Sequence, residues 1–271
     1  KGGAAQPAML KIARVEADLA IRPLLSGRLS IARLVLIAPD LRLETAPAGT
    51  PNWHFTPAIR LPPPVTSGAP APPAFAVRTL HVKDGRVFWR HRQIGATTSI
   101  EVKRLSATEH DGDAQIQWGA DLLLGTASVQ VAGQTGSLVR LLEPDATTPW
   151  SVYLRATLPG ARFTVAGTLR QPWRPAGYDL LLDATIADPA AIVPLADLAG
   201  VKLPGLPPLR RIVAAAHLVD PGGIPTLSAA SLRIGPSDLR VLVPGLQVDS
   251  AEIAATAPGQ PAQFTLRGSL D

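Results

Sequence analysis

The chain has 271 residues, 46% hydrophobic and only 17% charged, with a net charge of +5 and aromatics at 4%, so its apolar mass is aliphatic. It contains no Cys, which excludes disulfides and thiolate metal sites, and no run of about 18 apolar residues, which excludes a helical bilayer span within it. Its basic side chains are mostly Arg, with Lys only at Lys1, Lys11, Lys83, Lys103 and Lys202. They are scattered rather than gathered into a stripe interleaved with aromatics, so nucleic acid is not an expected partner. Ordinary solvation is the plain reading of these charges, and attraction to an anionic membrane surface is the functional one.

The 28 Pro and 23 Gly residues make up about a fifth of the chain, against an average near 12%. They stand between apolar runs, which predicts many short elements ended by turns. The N-terminal unit is expected over residues 1–60, with a short helical turn at Pro23–Ser26. The Pro-rich stretch LPPPVTSGAPAPPA, residues 61–74, reads as an extended linker. A longer second unit follows over residues 75–271.

Period-two alternation dominates that second unit and predicts strands with one apolar and one polar face. Asp84-Gly85 and Asp111-Gly112 read as tight turns or bulges. Ile116, Trp118, Ala120, Leu122 and Leu124 alternate in one segment, and Trp150, Val152, Leu154, Ala156 and Leu158 in the next. Leu158-Pro159-Gly160 then predicts a hairpin into Phe163, Val165, Gly167 and Leu169. Leu180, Leu182, Ala184 and Ile186 follow, and Asp188–Ala199 is the one good helix, with Asp188 as N-cap, Pro189 in the first position, Gly200 as the stop and Pro194 positioned to split it. Pro221-Gly222-Gly223 and Pro244-Gly245 are further turns, and Phe264, Leu266, Gly268 and Leu270 form a last alternating run.

Short turns between such strands predict an antiparallel meander. An apolar sheet face must be covered, and with so few helices the cover must come from the sheet itself. A packed sandwich, a barrel and an open trough all satisfy this. The expected fold is mainly β: a long curved antiparallel sheet forming a groove or partly open barrel, with one or two short helices. An open trough would leave an apolar patch, the mark of a binding surface. Its candidate lining is Ile116, Trp118, Leu122, Leu124, Val152, Leu154, Leu158, Phe163, Val165, Leu169, Leu180, Leu182, Ile186, Phe264 and Leu266.

Several segments together resemble the AsmA family. RPLLSGRLSIARLVLIAPDLRLE, residues 22–44, followed by GTPNW, residues 49–53, is similar to the family's start: a Pro-Leu-Leu-x-Gly turn, an alternating strand, a Pro-x-Leu-x-Leu-Glu run and a Gly-x-x-Asn-Trp element that holds the chain's single Asn, Asn52. LHVKDGRVFWRH (80–91), LPGLPPL (203–209) and SLRIGPSDLRV (231–241) resemble later family elements in the right order, with Arg240 where a Gly is often found. The resemblance implies a non-enzymatic periplasmic domain, related to TamB and to bridge-like lipid transfer proteins. Such a domain binds or conducts phospholipid or another apolar lipid along a β-groove between inner and outer membrane. It implies partners among lipids, the membrane surface and envelope proteins. It also implies a longer parent anchored in the inner membrane by an N-terminal helix that this chain does not contain. The alternative is a scaffold that takes up strands of outer-membrane proteins by β-augmentation.

Catalytic and metal signatures are not found. His54, His81, His91, His110 and His217 have no zincin spacing, and exposed strand His is the plainer reading of His81 and His91. Glu109, His110, Asp111 and Asp113 supply too few oxygens at set offsets for a calcium loop. There is no nucleophile elbow, P-loop or dinucleotide fingerprint, and no triad or carboxylate pair. No enzyme activity, cofactor or metal is therefore expected. Trp53, Trp89, Trp118, Trp150 and Trp173 fit a ligand groove, a membrane interface or an aromatic-poor core about equally.

Overall fold

Alternating β-branched, aliphatic and polar residues form strands here because each side chain meets a pleated surface that is apolar on one side only. The computed structural model describes residues 9–22, 29–45, 75–91, 96–109, 115–137, 148–171, 176–198, 209–220, 226–240, 244–255 and 261–270. It is mainly β, and among the described residues no strand pairing closes the sheet into a barrel. The chain falls into two compact units, Lys1–His110 with Ala120–Leu123, and Asp111–Gly119 with Leu124–Asp271.

The first unit contains β1 (Leu10–Lys11), β2 (Arg14–Leu19), β3 (Leu29–Ile37), β4 (Asp40–Thr45), β5 (Phe75–His91) and β6 (Ala96–Glu109). Its spine is β5, 17 residues long, or roughly 56 Å at the usual rise. Here the expected all-antiparallel meander needs correction: β3 and β4 both run parallel to β5, β3 along its first half and β4 along its second. Parallel pairing needs a long return connection, and residues 46–74 supply it. Between β3 and β4, Ala38 has φ 49°, and Pro39 has no N–H to give to the ladder. Hydrogen bonds from Ala38 N to Lys83 O and from Arg86 N to Pro39 O bridge the break.

Opposite that break lies Asp84-Gly85, which is no tight turn: both residues sit inside β5, with Asp84 at φ 52°. A side chain at Gly85 would stand 3.1 Å from Pro39 Cγ, so the dipeptide accommodates the neighbouring kink. Among the described residues, Ile31, Val35, Val102 and Ala120 are the buried aliphatics of this unit.

The division between the units passes through β7 (Gln115–Leu124). The second unit then continues with β8 (Ala127–Gly136), β9 (Trp150–Leu158), β10 (Ala161–Gln171), β11 (Ala176–Ile186), β12 (Ile212–Val219), β13 (Thr226–Ile234), β14 (Ser237–Asp238), β15 (Leu246–Ala255) and β16 (Gln263–Leu270). From β8 to β13 each strand pairs antiparallel with the next in sequence; β13 and β14 both pair with β15, and β16 lies on the other side of β15. The predicted hairpin at Pro159-Gly160 forms, with Gly160 at φ 79°, a left-handed conformation that glycine adopts without steric cost. Pro244-Gly245 also turns, with Gly245 at φ 85°.

The predicted helix is present and is split where Pro194 predicts. Asp188 accepts a hydrogen bond from Ala190 N at 2.9 Å, a 3₁₀ turn covers Pro189–Ile192, and helix α1 takes over at Val193–Leu198 with Pro194 in its first turn. The expected helical turn at Pro23–Ser26, the linker at 61–74 and the turns at Asp111-Gly112 and Pro221-Gly222-Gly223 lie outside the described residues.

Candidate functional site

Residues opposed across an antiparallel pair point to the same face, so the registers of the second unit show which side chains share a surface. One row runs Leu158, Ala161, Ile186, Ile212, Ile234, Ala251, Leu266 across β9 to β16. The next runs Val131, Ala156, Phe163, Ala184, Ala214, Leu232, Ile253, Phe264 from β8 to β16. Every position in both rows is apolar. A third row carries Leu154, Val165 and Leu182, a fourth Val152 and Leu180 beside Gly167, and Leu169 lies opposite Trp150 and Tyr178.

All candidate residues of β9, β10, β11 and β16 therefore lie on one continuous face. Ile116, Trp118, Leu122 and Leu124 share one face of β7 by alternation, and the Trp118 ring lies beside Gly133 of the third row.

The opposite face is polar. One of its rows reads Thr157, Arg162, Thr185, Val213, Arg233, Glu252, Thr265. Arg233 pairs with Glu252 at 3.0 Å, His217 Nε2 lies 2.7 Å from Asp179 Oδ1, and Arg155 donates to the Tyr153 hydroxyl at 2.8 Å. These groups are exposed, so each pair contributes little to stability, roughly 0–1 kcal/mol. They mark this face as the solvated one.

Burial of the apolar face is uneven. Full burial is concentrated at one end of the strands, at Leu124, Val129, Leu158, Ala161 and Ile186, where the 3₁₀ turn packs on β10 and β11 with Pro189 buried. Away from that end Val152, Leu154, Phe163, Val165, Leu169, Leu180 and Leu182 are only half-buried. At the far strand Phe264 is 62% and Leu266 49% exposed. A second sheet packed face to face would have closed these positions to water. Among the described residues, no such layer covers them.

Two tryptophan rings stand against glycines of β8. A Cβ at Gly133 of β8 would stand 3.0 Å from the Trp118 ring and would run into the Tyr153 carbonyl of β9. A Cβ at Gly136 would stand 2.6 Å from the Trp150 ring, whose Nε1 donates to Ser137 O at 3.2 Å. The indole N–H is thereby satisfied and the ring adds apolar surface. Trp89 belongs to β5 of the first unit, and Trp53 and Trp173 lie outside the described residues.

Sequence reasoning missed the contribution of β12, β13 and β15. β12 reads IVAAAHLV, apolar at both parities, so alternation alone assigns it no inward face. Register does, placing Ile212, Ala214 and Ala216 beside Ile186, Ala184 and Leu182. A Thr226 to Ile234 strand with a register shift at His217/Leu218 is similarly opaque to pattern.

Three titration shifts stand out: desolvation and the nearby Asp220 carboxylate push the hydroxyl of Tyr178, opposite Leu169, upward. The Arg240 side chain and backbone N–H hold the Asp238 carboxyl down at about 2, and a hydrogen bond from Lys103 lowers Glu101. Among the described residues no cluster of three or more His, Asp or Glu could hold a metal ion. Comparison with protein-family models, curated proteins and solved structures returns no match.

Proposed function

We propose that this chain is an AsmA-like, non-enzymatic module that binds or conducts lipid on the apolar face of its second unit, serving traffic between inner and outer membrane from the periplasm. One observation carries the reading: apolar rows continuous from β8 or β9 to β16, half-exposed over most of their extent and backed by a polar face. An acyl chain laid on such a face gains about 0.8 kcal/mol per buried CH₂. Aliphatic side chains supply contact without directional hydrogen bonds, so the expected cargo is defined by its chains more than by its head group. The motif order quoted above from residues 22–241 supports the family assignment.

The test is native mass spectrometry and lipid extraction of protein purified without detergent, comparing Val165→Lys with Thr164→Lys. Val165 faces the apolar rows and Thr164 the polar ones. Co-purified lipid present in the wild type and in T164K but lost in V165K is the expected result. No lipid in the wild type, or equal lipid in all three, overturns the reading. The second reading, a scaffold that accepts a client strand, would use a strand edge left unpaired among the described residues, such as that of β2. It predicts crosslinking to a client barrel and indifference to V165K.

A further inference from the structure

We propose that the apolar face of the second unit orients an amphipathic lipid lengthwise along the strands, with its polar head at Tyr178 and Asp220 and its chain ends toward the 3₁₀ turn. The inference rests on the lipid reading above and adds to it the ligand's direction and the chemistry of its head. The two ends of the face differ in composition. Register sets Trp150 opposite Leu169, and Leu169 opposite Tyr178. A hydrogen bond from Asp220 N to Tyr178 O at 2.9 Å extends the β11–β12 ladder by one step, to Asp220. One row further in, Thr135 stands opposite Val152. At the other end Leu158, Ala161 and Ile186 are buried, and so is Pro189 of the 3₁₀ turn that packs there.

Among the described residues, Asp220 is the only charged side chain in the inward rows. It is 6% exposed, and its Oδ2 accepts a hydrogen bond from Gly177 N at 2.7 Å, which clasps the carboxylate at the strand end. Arg170 and Asp179 belong to the opposite, solvated face by alternation, where salt and water screen them. A carboxylate sheltered from water acts more strongly on its neighbours. It favours a head that brings N–H or O–H donors or a cation, and disfavours a head whose only charge is negative. Tyr178, half-buried opposite it, adds a hydroxyl. Desolvation and the Asp220 charge both oppose ionisation of that hydroxyl, so it stays a donor as well as an acceptor.

The rows between these ends fit a tail. The run from Leu169 to Ala161 on β10, and the matching run from Tyr178 to Ile186 on β11, each cover roughly 26 Å at the usual rise. The chains of one bilayer leaflet fill about half of a ~30 Å hydrocarbon core, so a whole tail lies between the polar end and the closed one. The reverse orientation would press the head against Leu158 and Ile186, where the inward rows are apolar throughout. Polar groups buried there without partners would carry a desolvation cost that the Tyr178 end does not impose. The outcome is a preference among heads set on top of a stronger requirement for chains.

The test uses the whole chain with a bimane fluorophore on Leu169→Cys or on Ala184→Cys, since the native chain has no Cys to compete. The probe is phosphatidylethanolamine carrying a nitroxide either beside the carbonyl or near the chain end. The nitroxide beside the carbonyl should quench the label at position 169 more than at 184, and the one near the chain end should do the reverse. Unlabelled phosphatidylethanolamine should displace the probe at lower concentration than phosphatidic acid with the same chains. Asp220→Asn, which keeps an acceptor for the Gly177 N–H, should abolish that difference, and Tyr178→Phe, which leaves the clasp untouched, should narrow it. Quenching at neither label removes the lipid reading itself and this inference with it. Quenching that is equal at both labels, or reversed, leaves the lipid reading standing and overturns the orientation. Equal displacement by the two lipids, or a difference that survives in both variants, overturns the placement of the head at Tyr178 and Asp220.

Discussion

At the scale of single residues, glycine identity matters where a neighbouring strand comes close, and matters little elsewhere. Gly133 lies under the Trp118 ring and against the Tyr153 carbonyl, whereas the nearest atom to a Cβ at Gly119 would be Val131 O, at an ordinary 3.8 Å. The two positions therefore respond with opposite sign. Gly133→Val should lower unfolding free energy by roughly 1–3 kcal/mol, the range for overpacking. Gly119→Ala should raise it by about 0.5 kcal/mol, because glycine inside a strand costs conformational entropy. Urea denaturation of the two variants checks both signs.

Asp238 gives a second residue-scale expectation. Its carboxyl titrates at about 2 in the fold, against an ordinary 3.8, chiefly because Arg240 hydrogen-bonds to it. A depressed carboxylate contributes stability above the unfolded value and loses it as pH falls through the folded one. The β14 turn should therefore be unchanged from pH 7 to about 4 and should loosen between about 3.8 and about 2. The Asp238 carboxyl resonance followed by NMR measures the midpoint, and one near 4 would contradict the geometry.

At the scale of elements, the 3₁₀ turn and α1 illustrate how local chemistry places a short helix at the end of a sheet. Asp188 caps, Pro189 pre-sets the first turn, and Ala187 N and Asp188 N both donate to Gly160 O, tying the helix start to the β9–β10 hairpin. Asp188→Ala removes the cap at a typical cost of about 1 kcal/mol. Amide exchange at Ala190 and Ala191 should accelerate, while β10 and β11 amides keep their protection.

These elements were legible in the sequence for physical reasons. Leu158-Pro159-Gly160 separates two clean alternations, and Asp188-Pro189 is a local helix start. The parallel pairing of β3 and β4 with β5 was not legible, because alternation fixes a strand's faces and says nothing of its neighbours. Asp84-Gly85, which reads as a tight turn or a bulge, is an irregularity inside β5 and no turn, for a related reason: the kink it fits belongs to Ala38-Pro39, about 46 residues away in sequence and adjacent only after pairing.

At the scale of the molecule, the fifteen candidate residues were readable as apolar positions, and those of β9, β10, β11 and β16 prove to share one face. Sequence could not show that β12, β13 and β15 continue that face, since Ile212–Val219 has no polar parity. It also could not choose between a filled sandwich and an open sheet. The half-burial of Val152, Phe163 and Leu182 speaks for the open sheet. An open apolar face should respond to charge in a graded way. Lysine at Val165, in the middle of the rows, is expected to displace lipid most. Lysine at Leu158, which is 5% exposed, should instead unfold the protein before it reports on binding, so a thermal melt of each variant separates the two effects.

The return of the chain to lay β5 beside β3 and β4 has a consequence for how the protein acquires its structure. The β9–β10 hairpin closes over two residues, whereas the first unit cannot assemble until the chain has run from the end of β4, beside His91, back to the start of β5, beside Leu29, a return that residues 46–74 separate in sequence. Loop closure costs entropy that rises with length, and contacts distant along the chain slow folding. The meander of the second unit is therefore positioned to nucleate early and locally. The parallel spine of the first unit is positioned to be the slow step, with β3 and β4 waiting unpaired on their β5 side until the long connection has completed its search.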